Sequence, residues 1–114
     1  MFLAITVIPA FAGFDAGMAA YKQGDYATAF REFLPFAERG DVDAQYIVGN
    51  MYDNGEGVPV NYVKAYMWWS LAKAQSNEHA SDNLDIIKEE MSHAQIAKAQ
   101  ELAAEWWEKH NKRP

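Results

Sequence analysis

The strongest constraint on this chain is that it repeats itself. Residues 25–41, DYATAFREFLPFAERGD, laid over residues 61–77, NYVKAYMWWSLAKAQSN, align Asp25 with Asn61, Tyr26 with Tyr62 and Ala29 with Ala65. Phe30 then meets Tyr66 and Phe33 meets Trp69, all at a constant shift of 36 residues. In each copy the apolar positions advance by three and four, Tyr26/Ala29/Phe30/Phe33 and Tyr62/Ala65/Tyr66/Trp69, the spacing that lines one face of a helix. A unit of this length cannot bury its apolar face alone, so copies must stack on one another.

Helix punctuation falls in the same phase. Gly40-Asp41 reads as a C-terminal glycine followed at once by an N-capping aspartate, and Gly24-Asp25, Val60-Asn61 and Ser76-Asn77 offer similar starts. Ala44/Ile47/Val48/Met51/Tyr52 forms a stripe between the two copies, and Ala80/Leu84/Ile87/Met91 another after them. Ser92 and Gln95 have the spacing of a capping box opening a last helix, with Ile96/Ala99/Ala103/Trp106 on its apolar face and Lys98/Glu101/Glu105/Lys109 on its charged one. No segment alternates with period two over a useful length. The fold expected is all-α, with helices near 13–23, 25–39, 41–53, 61–75, 77–91 and 92–110, the last sealing an end. Pro35 breaks the pattern: inside a helix it removes a hydrogen bond and clashes one turn back, so a kink or split is expected near Leu34.

Residues 44–74 resemble the Sel-one-like repeat, whose pattern is met by Ala44, Val48-Gly49, Tyr52, Gly55-Glu56-Gly57-Val58, Ala65, Trp68-Trp69 and Ala72, with Val48 in place of the usual leucine. Residues 17–33 are more similar to the related tetratricopeptide hairpin, with a turn four residues shorter. The third unit is degenerate, since Asp85 stands where the pattern has glycine. The resemblance covers residues 14–91 well and 92–110 loosely. It implies a short right-handed α-solenoid of antiparallel helix pairs, about two and a half repeats with a C-terminal capping helix, that serves protein–protein contact and usually carries no active site. The second helix of the second pair is apolar on two stripes, Tyr62/Ala65/Tyr66/Trp69 and Val63/Met67/Leu71/Ala74, and is expected to be sandwiched, with Trp68 and Trp69 both in the core.

Length and charge narrow the function. A chain of 114 residues suits one domain, here residues 13–110, preceded by an uncharged hydrophobic segment at 1–12 and followed by a basic tail at 111–114. The segment 1–12 ends in Ala10-Phe11-Ala12, a small-x-small pattern like a signal-peptidase site, yet is short and lacks a basic start. It reads either as a signal remnant or as a plain first helix or disordered end. A periplasmic or secreted location is the expectation, with the cytoplasm as alternative. The segment is too short for a stable membrane span. A net charge of −6 argues against nucleic acid as a partner. The absence of cysteine removes thiolate metal sites and thiol catalysis.

The constellations that could carry chemistry read more simply as structure. Gly55 and Gly57 precede a helix as a phosphate cradle would, but a helix comes before them rather than a strand, and Glu56 puts a negative charge inside the loop. They supply the backbone freedom of a turn that Pro59 then closes. Asp53 to Gly57 lacks the oxygen ligands and the closing acid of a calcium loop. Glu90 and His93 have the Glu-x-x-His spacing of a di-iron site without a second copy, and a cap at Ser92 would separate them. His79 and His110 have no partner nucleophile that spacing suggests. No metal, cofactor or catalytic set is expected.

The face available to a partner follows from helical spacing. Tyr46, Asn50 and Asp53 share the side of their helix opposite Ala44/Ile47/Met51, and Met18 and Tyr21 are their analogues one unit earlier. Trp107, near the chain end, is a secondary candidate as an exposed aromatic anchor. The expectation is a non-catalytic adaptor that binds a protein or peptide along the groove lined by the first helix of each pair. The rivals are a self-association module, which gives a homo-oligomer, and an exported hydrolase, which would need a nucleophile–base pair that the spacing does not assemble.

Overall fold

The computed structural model describes residues 13–111, so the hydrophobic segment 1–12 and residues 112–114 of the basic tail lie outside it. The described residues form α1 (Phe14–Lys22), α2 (Tyr26–Glu38), α3 (Val42–Asn54), α4 (Tyr62–Ala74), α5 (Glu78–Ile87), a 3-10 turn (Lys88–Glu90) and α6 (His93–His110), with no strand among them. The arrangement is a short helical-repeat solenoid: α1 and α2 form one antiparallel pair, α3 and α4 the next, and α5 begins a third.

The starts and stops are made by the residues that the sequence marks for them. Asp25, Asp41, Asn61 and Asn77 each accept a hydrogen bond from the backbone N–H three residues on, at 3.3, 2.9, 3.0 and 2.7 Å. Ser92 and Gln95 close the capping box in both directions, at 3.1 and 2.9 Å. The three tight turns share one geometry: Gly24, Gly40 and Ser76 adopt positive φ. The next residue, Asp25, Asp41 or Asn77, donates its N–H to the carbonyl five residues back (Ala20, Phe36 or Ala72) before capping the helix that follows.

Packing explains why a glycine sits midway along α1 and α3. A methyl group on Gly17 would lie 2.8 Å from the ring of Phe33, and one on Gly49 would strike the indole of Trp69. The two aromatics that the repeat aligns therefore press onto bare backbone of the paired helix. Phe33 is fully buried and Trp69 is 2% exposed. Two clusters result. Phe33, Val48, Met51, Trp68 and Leu71 belong to the first, and Trp69, Ala72, Leu84, Ile87 and Met91 to the second. α4 contributes to both, with α3, α5 and α6 packed around it. Its Val63/Met67/Leu71 stripe is inside or half-buried, whereas Ala74 is exposed because the helix ends there.

The split expected near Leu34 does not occur. α2 runs unbroken through Pro35 from Tyr26 to Glu38. The proline removes the N–H that would bond to the carbonyl of Arg31, but Arg31 and Pro35 are both exposed, so water can serve that carbonyl. α6 is the C-terminal capping helix. It lies chiefly along α4, with Ile96 against the second cluster and Leu102, Ala103 and Trp106 against the first. It thus joins the two cores across their outer face. The Trp106 ring meets Trp68 edge to face, with centroids 6.4 Å apart.

One buried polar side chain ties the two complete units together. Gln45 is fully buried, donates through Nε2 to the carbonyl of Ala37 on α2 at 3.1 Å, and accepts from Gln75 Nε2 at the end of α4 at 2.9 Å.

Candidate functional site

The first helices of the three units, α1, α3 and α5, border two adjoining clefts. The cleft between α3 and α5 measures about 390 Å³, and Tyr46, Asn50, Asp53, Asn83, Ile86 and Glu90 are among its lining residues, with Trp69 of α4 also lining it. The cleft between α1 and α3 measures about 140 Å³ and is lined by Met18, Tyr21, Phe33, Ile47 and Asn50. Five of the six candidate residues therefore fall on one surface, and Asn50 belongs to both clefts. Trp107 does not join them. It is 41% exposed on α6, beside Arg39, Gly40 and Gln75, away from the groove.

Tyr46, Asn50 and Asp53 line one cleft, while Ile47, expected on the opposite side of α3, lines the neighbouring cleft together with Asn50; several of these residues already hold other groups. The indole Nε1 of Trp69 donates to the Tyr46 carbonyl at 3.2 Å and to Asn50 Oδ1 at 3.1 Å. Asn83 Nδ2 donates to the same Asn50 oxygen at 3.3 Å. Asn50 is thus a structural bracket between α3, α4 and α5 as well as part of the groove wall. The Tyr46 ring lies 5.9 Å from that of His79 on α5. Burial raises the Asp53 carboxyl above its ordinary value.

Tyr21 is similarly engaged. Its hydroxyl donates to Glu56 Oε1 at 2.8 Å, which ties α1 to the long α3–α4 loop. Burial first, and the Glu56 carboxylate second, push the phenol up to about 12. The loop itself is a turn, as the sequence indicates. Gly55 and Gly57 have φ of 72° and 79°, and Asn61 N–H donates to the Tyr52 carbonyl at 2.9 Å to close it. A side chain on Gly57 would meet the backbone of Tyr26, so the four extra residues let the loop lie against the start of α2. Glu56, which sequence reasoning treated only as an unfavourable charge for phosphate, is the residue that anchors it. The signal available was an acid in the middle of a two-glycine loop, one unit away from Tyr21, a tyrosine assigned only to the groove.

A larger cavity of about 470 Å³ lies on the other face among α2, α4 and α6. Its charges are mixed, with Glu38 and Glu105 set among Lys64, Lys109 and His110, and Lys64 Nζ already lies 5.8 Å from the centroid of the Tyr52 ring. Among the described residues no three acids or histidines gather closely enough to hold a metal ion. Glu90 ends the 3-10 turn and His93 begins α6, with the Ser92 cap between them. No described helix is long and apolar enough to cross a membrane.

Residues 42–77 match the family model of the Sel1 repeat. That span runs from the first residue of α3 to the N-cap of α5, one complete helix pair with its long loop. Over 73 residues the chain is also 33% identical to an "Exopolysaccharide production negative regulator" of Rhizobium meliloti (strain 1021), a match that takes in 64% of this chain and 27% of that protein. The chain therefore spans about a quarter of the length of this relative.

Proposed function

We propose that this chain, whose residues 42–77 match the Sel1 repeat model, is a non-catalytic adaptor that seats a protein or peptide segment on the α1/α3/α5 face. Repeats of this family mediate protein–protein contact, and stacked helix pairs leave their inner helices open as a continuous recognition surface. The observation that carries the reading is the pair of adjoining clefts, joined at Asn50 and bordered by the exposed side chains of Met18 and Ile86. The Trp69–Asn50–Asn83 hydrogen bonds fix the shared wall of the clefts before anything binds, which lowers the entropy lost on association.

The test is capture of partners from cell extract by the wild-type chain and by Met18→Ser and Tyr46→Ser variants whose circular dichroism is unchanged. Asn50 is left intact, because its loss would disturb Trp69. The expected outcome is a partner recovered by the wild type and lost by both variants. Equal recovery by all three would remove the groove from the function.

A further inference from the structure

The two clefts on the α1/α3/α5 face differ in chemistry, and the difference specifies what can occupy them. The α3/α5 cleft presents two carboxylates, Asp53 and Glu90, and its described lining contains no Lys, Arg or His. Neither carboxylate is paired: the ion pairs among the described residues are Asp85–Lys88 and Lys98–Glu101. Asn83 adds a third acceptor, since its Nδ2 is committed to Asn50 while its Oδ1 has no partner among the described residues. Ile86, 68% exposed, forms an apolar lip beside them. The α1/α3 cleft has no charged lining residue; Met18, Phe33 and Ile47 make it apolar, with Tyr21 and Asn50 at its edges.

We propose that this face selects a partner segment carrying an arginine and a nearby aliphatic side chain, with the guanidinium beside Asp53 and Glu90 and the aliphatic group beside Met18 and Ile47. The inference rests on the groove being the binding face and adds the chemistry of its occupant. A guanidinium offers five donors in a planar fork, enough to satisfy two carboxylates and the Asn83 carbonyl together. It also stacks on aromatic faces such as those of Tyr46 and Tyr62 in the same cleft, which an ammonium group does less well. Burial already disfavours the charged form of Asp53, and a cation at the site offsets that penalty. The net charge of −6 steers a basic segment toward the chain and repels an acidic one.

The experiment uses fluorescein-labelled twelve-residue peptides in a glycine–serine background, each with one arginine and one leucine separated by one to four residues. Matched peptides replace the arginine by glutamate or the leucine by serine. Anisotropy titrations at low and high salt are run with the wild type, with Asp53→Asn/Glu90→Gln and with Tyr46→Ser. The expected result is that at least one arginine–leucine spacing binds about tenfold more tightly than its glutamate counterpart, the size of one lost charge-assisted contact. The double variant, with unchanged circular dichroism, loses that preference and most of the salt dependence. Equal binding of arginine and glutamate peptides, or an unaltered preference in the double variant, overturns the proposal. So does a light-scattering series in which a second copy of the chain fills the clefts and blocks every peptide. Partner capture that still depends on Met18 and Tyr46 would, in each case, leave the adaptor reading standing while the arginine assignment falls.

Discussion

Replacing Gly49 by alanine sets two effects of known sign against each other. In a helix interior the change ordinarily stabilises by about 1 kcal/mol, because alanine is the better helix former. Here the new methyl group is driven into the indole of Trp69, a ring 2% exposed and held at its Nε1 by Tyr46 and Asn50. Overpacking of this kind costs about 1–3 kcal/mol. A ring pushed off its two acceptors leaves a buried donor unsatisfied, at about another 1–3 kcal/mol. The net effect expected is a destabilisation of roughly 3 kcal/mol, which at about 4–8 °C per kcal/mol for a small domain lowers Tm by roughly 10–25 °C. Urea unfolding followed by far-ultraviolet circular dichroism and tryptophan fluorescence measures it. Gly17→Ala is the internal comparison. Its methyl meets Phe33 at 2.8 Å, but no hydrogen bond is at stake, so its penalty is the smaller of the two. In a Trp69→Phe background the Gly49→Ala penalty shrinks, because the smaller ring makes room and has no N–H to orphan. A Gly49→Ala chain as stable as the wild type would refute the idea that aromatic-on-glycine contact sets the register of the helix pair.

Three further outcomes follow from single contacts. Glu56→Gln lowers the Tyr21 phenol from its elevated position near 12, read by ultraviolet titration. Since the folded state holds that proton more tightly than the unfolded chain, the associated stability is intact below about pH 10, the ordinary tyrosine value, and is lost as pH rises through 12. Pro35→Ala gives α2 back its missing N–H at an exposed position; against about 3 kcal/mol for proline in a helix stands about 1 kcal/mol of unfolded-chain entropy, so urea denaturation should show a net gain of about 2 kcal/mol. Ser92→Ala removes half of the capping box on α6 and costs about 1 kcal/mol, seen as faster amide exchange over residues 93–97 before any change elsewhere.

The parts of the fold that were legible in the sequence are those whose cause is local. Asp25, Asp41, Asn61 and Asn77 act within three residues of themselves, and Phe33 and Trp69 sit in phase with caps a fixed distance upstream, so composition and spacing suffice to place them. The groove residues Tyr46, Asn50 and Asp53 were legible for the same reason, because a shared helix face is a matter of spacing alone. What could not be read depends on partners far along the chain. Gln45 is buried between Ala37 and Gln75, and Asn50 serves Trp69 and Asn83, 19 and 33 residues away. Tyr21 and Glu56 meet across 35 residues. A glutamine or asparagine carries no sign of which distant group it will satisfy, so helical period assigns its face and not its task. The split expected at Pro35 failed for a related reason: the rule against proline in a helix assumes a carbonyl with no other donor to bond it, and exposure of Arg31 lets water supply one.

The position of α6 and the openness of the groove have one cause. In the first two units a glycine within the first helix admits an aromatic from the second helix, Phe33 onto Gly17 and Trp69 onto Gly49. Eight residues beyond the Asn77 cap, as Gly49 is eight beyond Asp41, stands Asp85, exposed and paired with Lys88 at 3.4 Å. A carboxylate there cannot be pressed under an aromatic ring without losing its hydration, so α5 offers no seat for a helix in the usual place. α5 ends at Ile87, the 3-10 turn redirects the chain, and α6 takes its apolar face to α4 instead. The consequence reaches the groove. With α6 committed to the outer face, no described segment returns over α5, and Ile86, Asn83 and Glu90 stay open beside Tyr46 and Asp53. Asp85 in place of a glycine thus goes with an α6 docked on α4 and with an α1/α3/α5 face left open.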